Sequence, residues 1–158
     1  MYFLPKPKKL TETSGEFFVE SGIRIVSESE GLKISTGWAL PKVLRDELLR
    51  YAGVEATLTA GTASKGDISL RLVNALPPQS YVLSITEEQI EILGRDRAGV
   101  GYGIQTLCQI IRNKGALLPA LRIEDKPDIP ARGFYMDQAR GRSFKLDTIK
   151  KQIDLLSR

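Results

Sequence analysis

Apolar positions recur along this chain with two different periods, and the periods divide it into elements. From Phe17 to Ser27 the chain reads as extended, with Phe17, Val19, Ile23 and Ile25 available to one face or the other and Gly22 marking a bend or bulge midway. Leu40, Val43, Leu44, Leu48 and Tyr51 then recur at helical spacing. Pro41 suits the first turn of that helix and Gly53 suits its stop. Over Asp67 to Val73 the period changes to two, as Ile68, Leu70 and Leu72 alternate with polar or exposed positions. Tyr81, Leu83 and Ile85 alternate likewise. Glu87-Glu88-Gln89 turns the chain into Ile90 to Leu93, which predicts a hairpin.

A second helix is expected from about Arg97 to Asn113, its stripe formed by Val100, Ile104, Leu107, Cys108 and Ile111. Asp96 suits its N-cap and Gly115 its end. A strand near Leu117 to Ile123 follows. Glu124 to Arg132, polar and carrying two prolines, reads as a linker. Beyond it come a short strand, Gly133 to Asp137, and a helix from about Leu146, with Leu146, Ile149, Ile153 and Leu156 on one face. No internal repeat stands out. Strands that neighbour in sequence, with only two helices before the linker, predict an α+β layer: a largely antiparallel sheet with both helices on one face.

Composition fits this picture and narrows the chemistry. The chain has 158 residues, 42% of them apolar and 27% charged, the balance of one globular domain with a real core. Its net charge of +4 is scattered. The densest basic run, Lys6 to Lys9, is broken by Pro7 and lacks base-stacking aromatics, so it reads as a flexible lead-in and no nucleic-acid partner is expected. The sequence holds no histidine, which removes Ser-His-Asp and Cys-His catalysis and every histidine metal site. Its one cysteine, Cys108, falls on an apolar helical stripe and reads as a buried structural thiol. No metal or other cofactor is expected. No segment has the apolar run of a secretion signal or a membrane span. The protein is therefore expected to be cytoplasmic, or secreted with its signal peptide removed.

Three stretches invite a functional reading. Gly94 to Gly103, GRDRAGVGYG, joins a strand to a helix, but the Lys of a phosphate-binding loop is absent and Gly99, Gly101 and Gly103 do not follow GxGxxG. Tight packing of a helix start on the sheet is the simpler reading. Arg95, Asp96 and Arg97 read as a helix cap with flanking solvated arginines. The third stretch, RGFYMDQARGRSF from Arg132 to Phe144, gathers Arg132, Asp137, Arg140 and Arg142 around one short strand. Strict alternation would point Arg132 and Asp137 to opposite faces, so a shared site needs one of them beyond the regular strand. One strand and one helix cannot make a core of their own; they look like the first βα unit of something larger.

At these residues the chain resembles glycoside hydrolase family 20, the β-N-acetylhexosaminidases. The stretches that carry the likeness are LPKPKKL near the start, AGVGYGIQTLCQII from Ala98 to Ile111, and IEDKPDIPARGFYMDQAR from Ile123 to Arg140. The resemblance implies a non-catalytic α+β domain over residues 1–125, then a linker and the orphaned first strand and helix of a (β/α)8 barrel over 126–158. A whole barrel takes about 250 residues. It further implies a parent enzyme that removes terminal β-linked N-acetylhexosamine with retention, the substrate's own acetamido oxygen attacking the anomeric carbon. The family's catalytic Asp-Glu pair has no match here, since Glu87-Glu88 and Glu124-Asp125 sit in a turn and a linker. The fragment is accordingly expected to be inactive.

By the same resemblance Arg132 would hydrogen-bond the C3 and C4 hydroxyls of the terminal sugar, a task for which a planar guanidinium is suited. Asp137 is a weaker candidate for supporting the substrate site. Where many members carry a histidine, this chain has Ala139-Arg140-Gly141-Arg142. The expected partners are N-acetylhexosamine-containing glycans for the parent, no membrane, and a truncation-induced homodimer through residues after the linker. A stand-alone carbohydrate-binding or scaffolding module, or the matching domain of another glycosidase family, remains the alternative.

Overall fold

A computed structural model of the chain describes residues 2–32, 39–137, 141 and 143–156. It divides into two compact units, Met1–Asp128 and Ile129–Arg158.

In the first unit a seven-stranded sheet carries two helices. The strands are β1 (Lys9–Phe18), β2 (Ile23–Ser27), β3 (Ala56–Ala60), β4 (Ile68–Leu72), β5 (Tyr81–Ile85), β6 (Ile90–Gly94) and β7 (Leu117–Asp125), in the order β1-β7-β5-β6-β4-β2-β3. Helix α1 (Leu40–Glu47) continues into a π-helical turn, Leu48–Ala52, which Gly53 ends with a left-handed φ of 68°. Helix α2 spans Arg97–Lys114. The predicted helices, the β5–β6 hairpin, the Asp96 cap and the Gly115 stop all form.

Three expectations need correction. The sheet is mixed and not largely antiparallel: β1–β7, β5–β6 and β5–β7 run antiparallel, whereas β2–β3, β2–β4 and β4–β6 run parallel. The cause is the crossover through α1, which returns the chain beside β2 in the same direction and adds β3, a strand that alternation did not reveal. The supposed flexible lead-in ends in β1, where Lys9 faces Glu124. Phe17 to Ser27 is not one extended run: β1 ends at Phe18, and the bend expected at Gly22, at φ 93°, turns the chain into β2.

The helices cover one face of the sheet. Ile25, Ile68, Leu70, Leu83, Ile85, Ile90 and Ile92 are fully buried beneath them, together with Leu44, Leu48, Ile104 and Leu107 from the helices. Fully burying one such side chain contributes roughly 1.5–3 kcal/mol. The other face carries many polar side chains, and several of them bridge its strands. Arg71 pairs with Glu91 at 2.8 Å and Arg122 donates to Ser84 at 3.2 Å. Glu124 accepts from Arg122 at 3.0 Å and from Lys9 at 3.2 Å.

Glycines set how close α2 can come. A Cβ on Gly99 would stand 2.2 Å from the Ser80 carbonyl oxygen, and one on Gly103 would stand 2.5 Å from the Ile92 side chain. The glycine-rich stretch is thus a packing surface. Helix α2 also holds α1 through an ion pair to the buried Glu47, Arg112 Nε to Glu47 Oε2 at 2.5 Å, with Arg112 also 5.8 Å from the centre of the Tyr51 ring. Under α2, the Tyr81 hydroxyl shares a 2.6 Å hydrogen bond with Thr106 Oγ1. Burial pushes the Tyr81 phenol well above its ordinary range.

The second unit holds one regular element among its described residues, helix α3 (Leu146–Leu156). The strand expected over Gly133–Asp137 is not formed: a strand needs a ladder partner, and none among the described residues pairs with this segment. The apolar face of α3 forms as expected, but Leu146, Ile153 and Leu156 are each at least 60% exposed.

Two outcomes follow from the packing under α2. Gly99→Ala should lower stability by about 2–4 kcal/mol in urea unfolding, because a methyl group meets backbone that cannot yield. For Tyr81 the folded pKa lies above the unfolded one. Its stabilising contribution is therefore complete below about pH 10 and declines above it, as the unfolded chain alone gives up the proton. Tyr81→Phe should accordingly lose less stability than the parent chain between about pH 9 and pH 11.

Candidate functional site

The residues singled out for a sugar site fall in the second unit. Arg132 is exposed, and its Nη1 donates to the Ile129 carbonyl oxygen three residues back. That bond lies within a segment rich in proline, Pro127 and Pro130, where regular helix cannot form. Asp137 is also exposed and lines a shallow cavity of about 360 Å³ with Phe134, Tyr135, Met136, Phe144 and Gln152. Arg132 is not among the residues that line it. Arg140 and Arg142, the other members of the charge cluster, lie outside the described residues.

A cavity of this kind can hold a small molecule with one apolar face and a few hydroxyls, because aromatic side chains supply area and a carboxylate and an amide supply direction. Among the described residues Asp137 is the one carboxylate in its lining. Charge and family likeness guided the sequence reading to Arg132 and Asp137, and so it passed over Phe134, Tyr135, Met136, Phe144 and Gln152. Their signal was present as four large apolar residues within a stretch too short to bury them.

The remaining candidates have structural tasks. Asp96 Oδ1 accepts from Gly99 N–H at 2.8 Å and Oδ2 accepts from Gln79 N–H at 2.9 Å, so one carboxylate caps α2 and fixes the loop before β5. Arg95 donates to Asn74 Oδ1 at 2.7 Å and Arg97 to the Gly31 carbonyl oxygen at 2.6 Å. Hydrogen bonds from Arg122 and Lys9 hold the Glu124 carboxyl below its ordinary range, as suits a strand-end ion pair. Asp125 Oδ1 accepts from Lys126 N–H at 2.8 Å and Lys8 N–H at 3.3 Å. Cys108 is buried. Among the described residues no group of three or more His, Cys, Asp or Glu side chains could hold a metal ion, and no helix is long and apolar enough to cross a membrane.

Comparison with known proteins places these features. The model of glycosyl hydrolase family 20, domain 2, matches residues 1–126. A β-hexosaminidase of Porphyromonas gingivalis is 30% identical over 166 residues, covering 98% of this chain and 21% of that protein. A β-N-acetylhexosaminidase of Cellulomonas fimi is 34% identical over 163 residues, covering 98% of this chain and 32% of that one. The crystal structure of a β-N-acetylhexosaminidase from Bacteroides fragilis superposes with a TM-score of 0.73 at 28% identity, over 96% of this chain and 30% of that one. The chain thus spans between about a fifth and a third of the length of these relatives.

The dual task of Asp96 is open to test. Asp96→Ala should cost about 1–2 kcal/mol of stability in urea unfolding. Calorimetric titration of the unmodified chain with ATP should show no binding, whereas saturable binding lost on substitution in Gly94–Gly103 would restore the phosphate-loop reading.

Proposed function

The chain belongs to glycosyl hydrolase family 20, and on that footing we propose that it is the non-catalytic α+β domain, with the opening of the catalytic barrel, of a retaining β-N-acetylhexosaminidase. One observation carries the reading. The likeness to the Cellulomonas fimi enzyme covers 98% of the chain, and so continues beyond the family-model match at residue 126 into the Arg132–Asp137 segment and α3. In this reading residues 1–125 brace the enzyme and residues 126–158 begin the barrel. The exposed apolar side chains of Phe134, Tyr135, Leu146, Ile153 and Leu156 are the surface that the rest of a barrel would cover.

The chemistry assigned to the parent is substrate-assisted. The acetamido oxygen of a terminal N-acetylhexosamine attacks its own anomeric carbon, and an acidic pair supplied by the remainder of the enzyme orients that group and protonates the leaving oxygen. Arg132 contributes binding. Its guanidinium, which donates to the Ile129 carbonyl, is a planar fork of N–H donors whose geometry suits the neighbouring C3 and C4 hydroxyls. Asp137, at the aromatic cavity, supports the same site.

Three outcomes test this. In the full-length enzyme Arg132→Ala should lower kcat/KM on an aryl β-N-acetylglucosaminide by about 2–4 kcal/mol of transition-state stabilisation, and near-normal kinetics in a folded variant would remove Arg132 from the site. The 158-residue chain alone should give no turnover above buffer. Turnover that survives purification and disappears on mutating Glu124 or Asp125 would overturn the assignment. The same chain should self-associate through α3, and Ile153→Asp with Leu156→Asp should remove that contribution and lower the average mass in sedimentation velocity, whereas an unchanged profile would exclude this face.

A further inference from the structure

The sheet ends at β3, whose sequence Ala56-Thr57-Leu58-Thr59-Ala60 reads the same in both directions. An edge strand offers a row of unpaired backbone groups, and proteins usually blunt such edges with charge, proline or a bulge. The opposite edge is blunted in this way: β1 carries Lys9, Glu12 and Glu16, and its register slips between Glu12 and Glu16. Strand β3 has no charge and no proline, and its register with β2 runs unbroken from Ile23 opposite Ala56 to Ser27 opposite Ala60.

The direction of its backbone groups can be read from the ends of the ladder. Glu55 O accepts from Gly22 N–H at 2.7 Å, and Gly61 N–H donates to Ser27 O at 3.3 Å. In a parallel pair alternate residues bond to the partner. The odd-numbered residues therefore face β2, and Ala56, Leu58 and Ala60 turn their N–H and C=O groups outward. A second β3, antiparallel about a two-fold axis at Leu58, sets Leu58 opposite Leu58 and Ala56 opposite Ala60. Each of these is a pair in which both residues present outward groups. Thr57 falls opposite Thr59 as the intervening non-hydrogen-bonded pair. Moving the axis by half a residue would set outward groups against inward ones, and centring it on either threonine would shorten the overlap.

The side chains agree with the backbone. Ala56 and Leu58 are half-buried against the margin of the core, so a second Leu58 would extend that core across the seam. Thr57 and Thr59 are exposed on the other face, where threonine pairs across antiparallel strands are favourable. No like charges meet.

We propose that β3 is a self-complementary edge through which two copies of this chain pair antiparallel about Leu58, joining two seven-stranded sheets into one. The contact is isologous and closed. Five residues of edge bury less than a standard interface, so the pairing is weak and concentration-dependent. It does not rest on the hydrolase reading or on α3.

Cysteine pairing tests the register. In a non-hydrogen-bonded antiparallel pair the Cα atoms stand about 4.5 Å apart, within disulfide reach, whereas two copies of Thr57 would be separated by roughly 8 Å, beyond it. A Thr57→Cys chain and a Thr59→Cys chain, each confirmed folded by circular dichroism, are oxidised mildly with oxidised glutathione, alone and as an equal mixture. The mixture should yield a disulfide-linked dimer and neither chain alone should. Equal cross-linking in all three samples, or none in the mixture at high concentration, would overturn the proposal. In sedimentation velocity a chain carrying Ile153→Asp and Leu156→Asp should retain a dimer that Thr57→Lys with Thr59→Lys abolishes. Retention of the dimer with both lysines in place would place the contact elsewhere.

Discussion

Helix α2 lies so close to the β5–β6 hairpin that Gly99 and Gly103 have no room for a side chain. Most of the first unit depends on that distance. It lets Val100, Ile104, Leu107 and Ile111 reach the isoleucines of β4 and β6, so one helix is buried on nearly every side. It brings the start of α2 near enough for Asp96 to tie both the helix and Gln79. Through Arg112 and Glu47 the same helix fixes α1, and α1 in turn determines where β3 joins the sheet. An ion pair with Glu47 only 4% exposed is costly to break by removing one partner, so its value is in holding one arrangement.

Much of this was legible in the sequence where a period and a punctuating residue agreed. Both helices and the hairpin had an apolar stripe or alternation bounded by Pro41, Gly53, Asp96 or Gly115, and all formed. Strand direction was not legible, because alternation specifies which face a residue takes and not which neighbour it pairs with. Strand β3 was missed for a related reason: Ala-Thr-Leu-Thr-Ala at a sheet edge buries little and so leaves a weak pattern. Lys9 was read as part of a solvated lead-in because its partner, Glu124, is 115 residues away.

The site was less legible than the fold. Arg132 and Asp137 were found by charge and by family likeness, yet the structure sets only Asp137 at the aromatic cavity. Residues of a strand share a site only when neighbouring strands orient them, and Gly133–Asp137 has no such neighbours among the described residues. Large apolar side chains left exposed around a cavity, such as Tyr135 at 85%, are the stronger local signal in this segment. The first unit shows the reverse condition: every buried side-chain polar atom among its described residues has a partner.

A crystal structure of the full-length protein with N-acetylglucosamine bound tests the central claim most directly. The account predicts that the Arg132 guanidinium lies within about 2.7–3.2 Å of the sugar's C3 and C4 hydroxyls and that Gly133–Asp137 has gained ladder partners on both sides. A sugar bound with Arg132 turned to solvent, or a segment still unpaired beside a complete barrel, would contradict it.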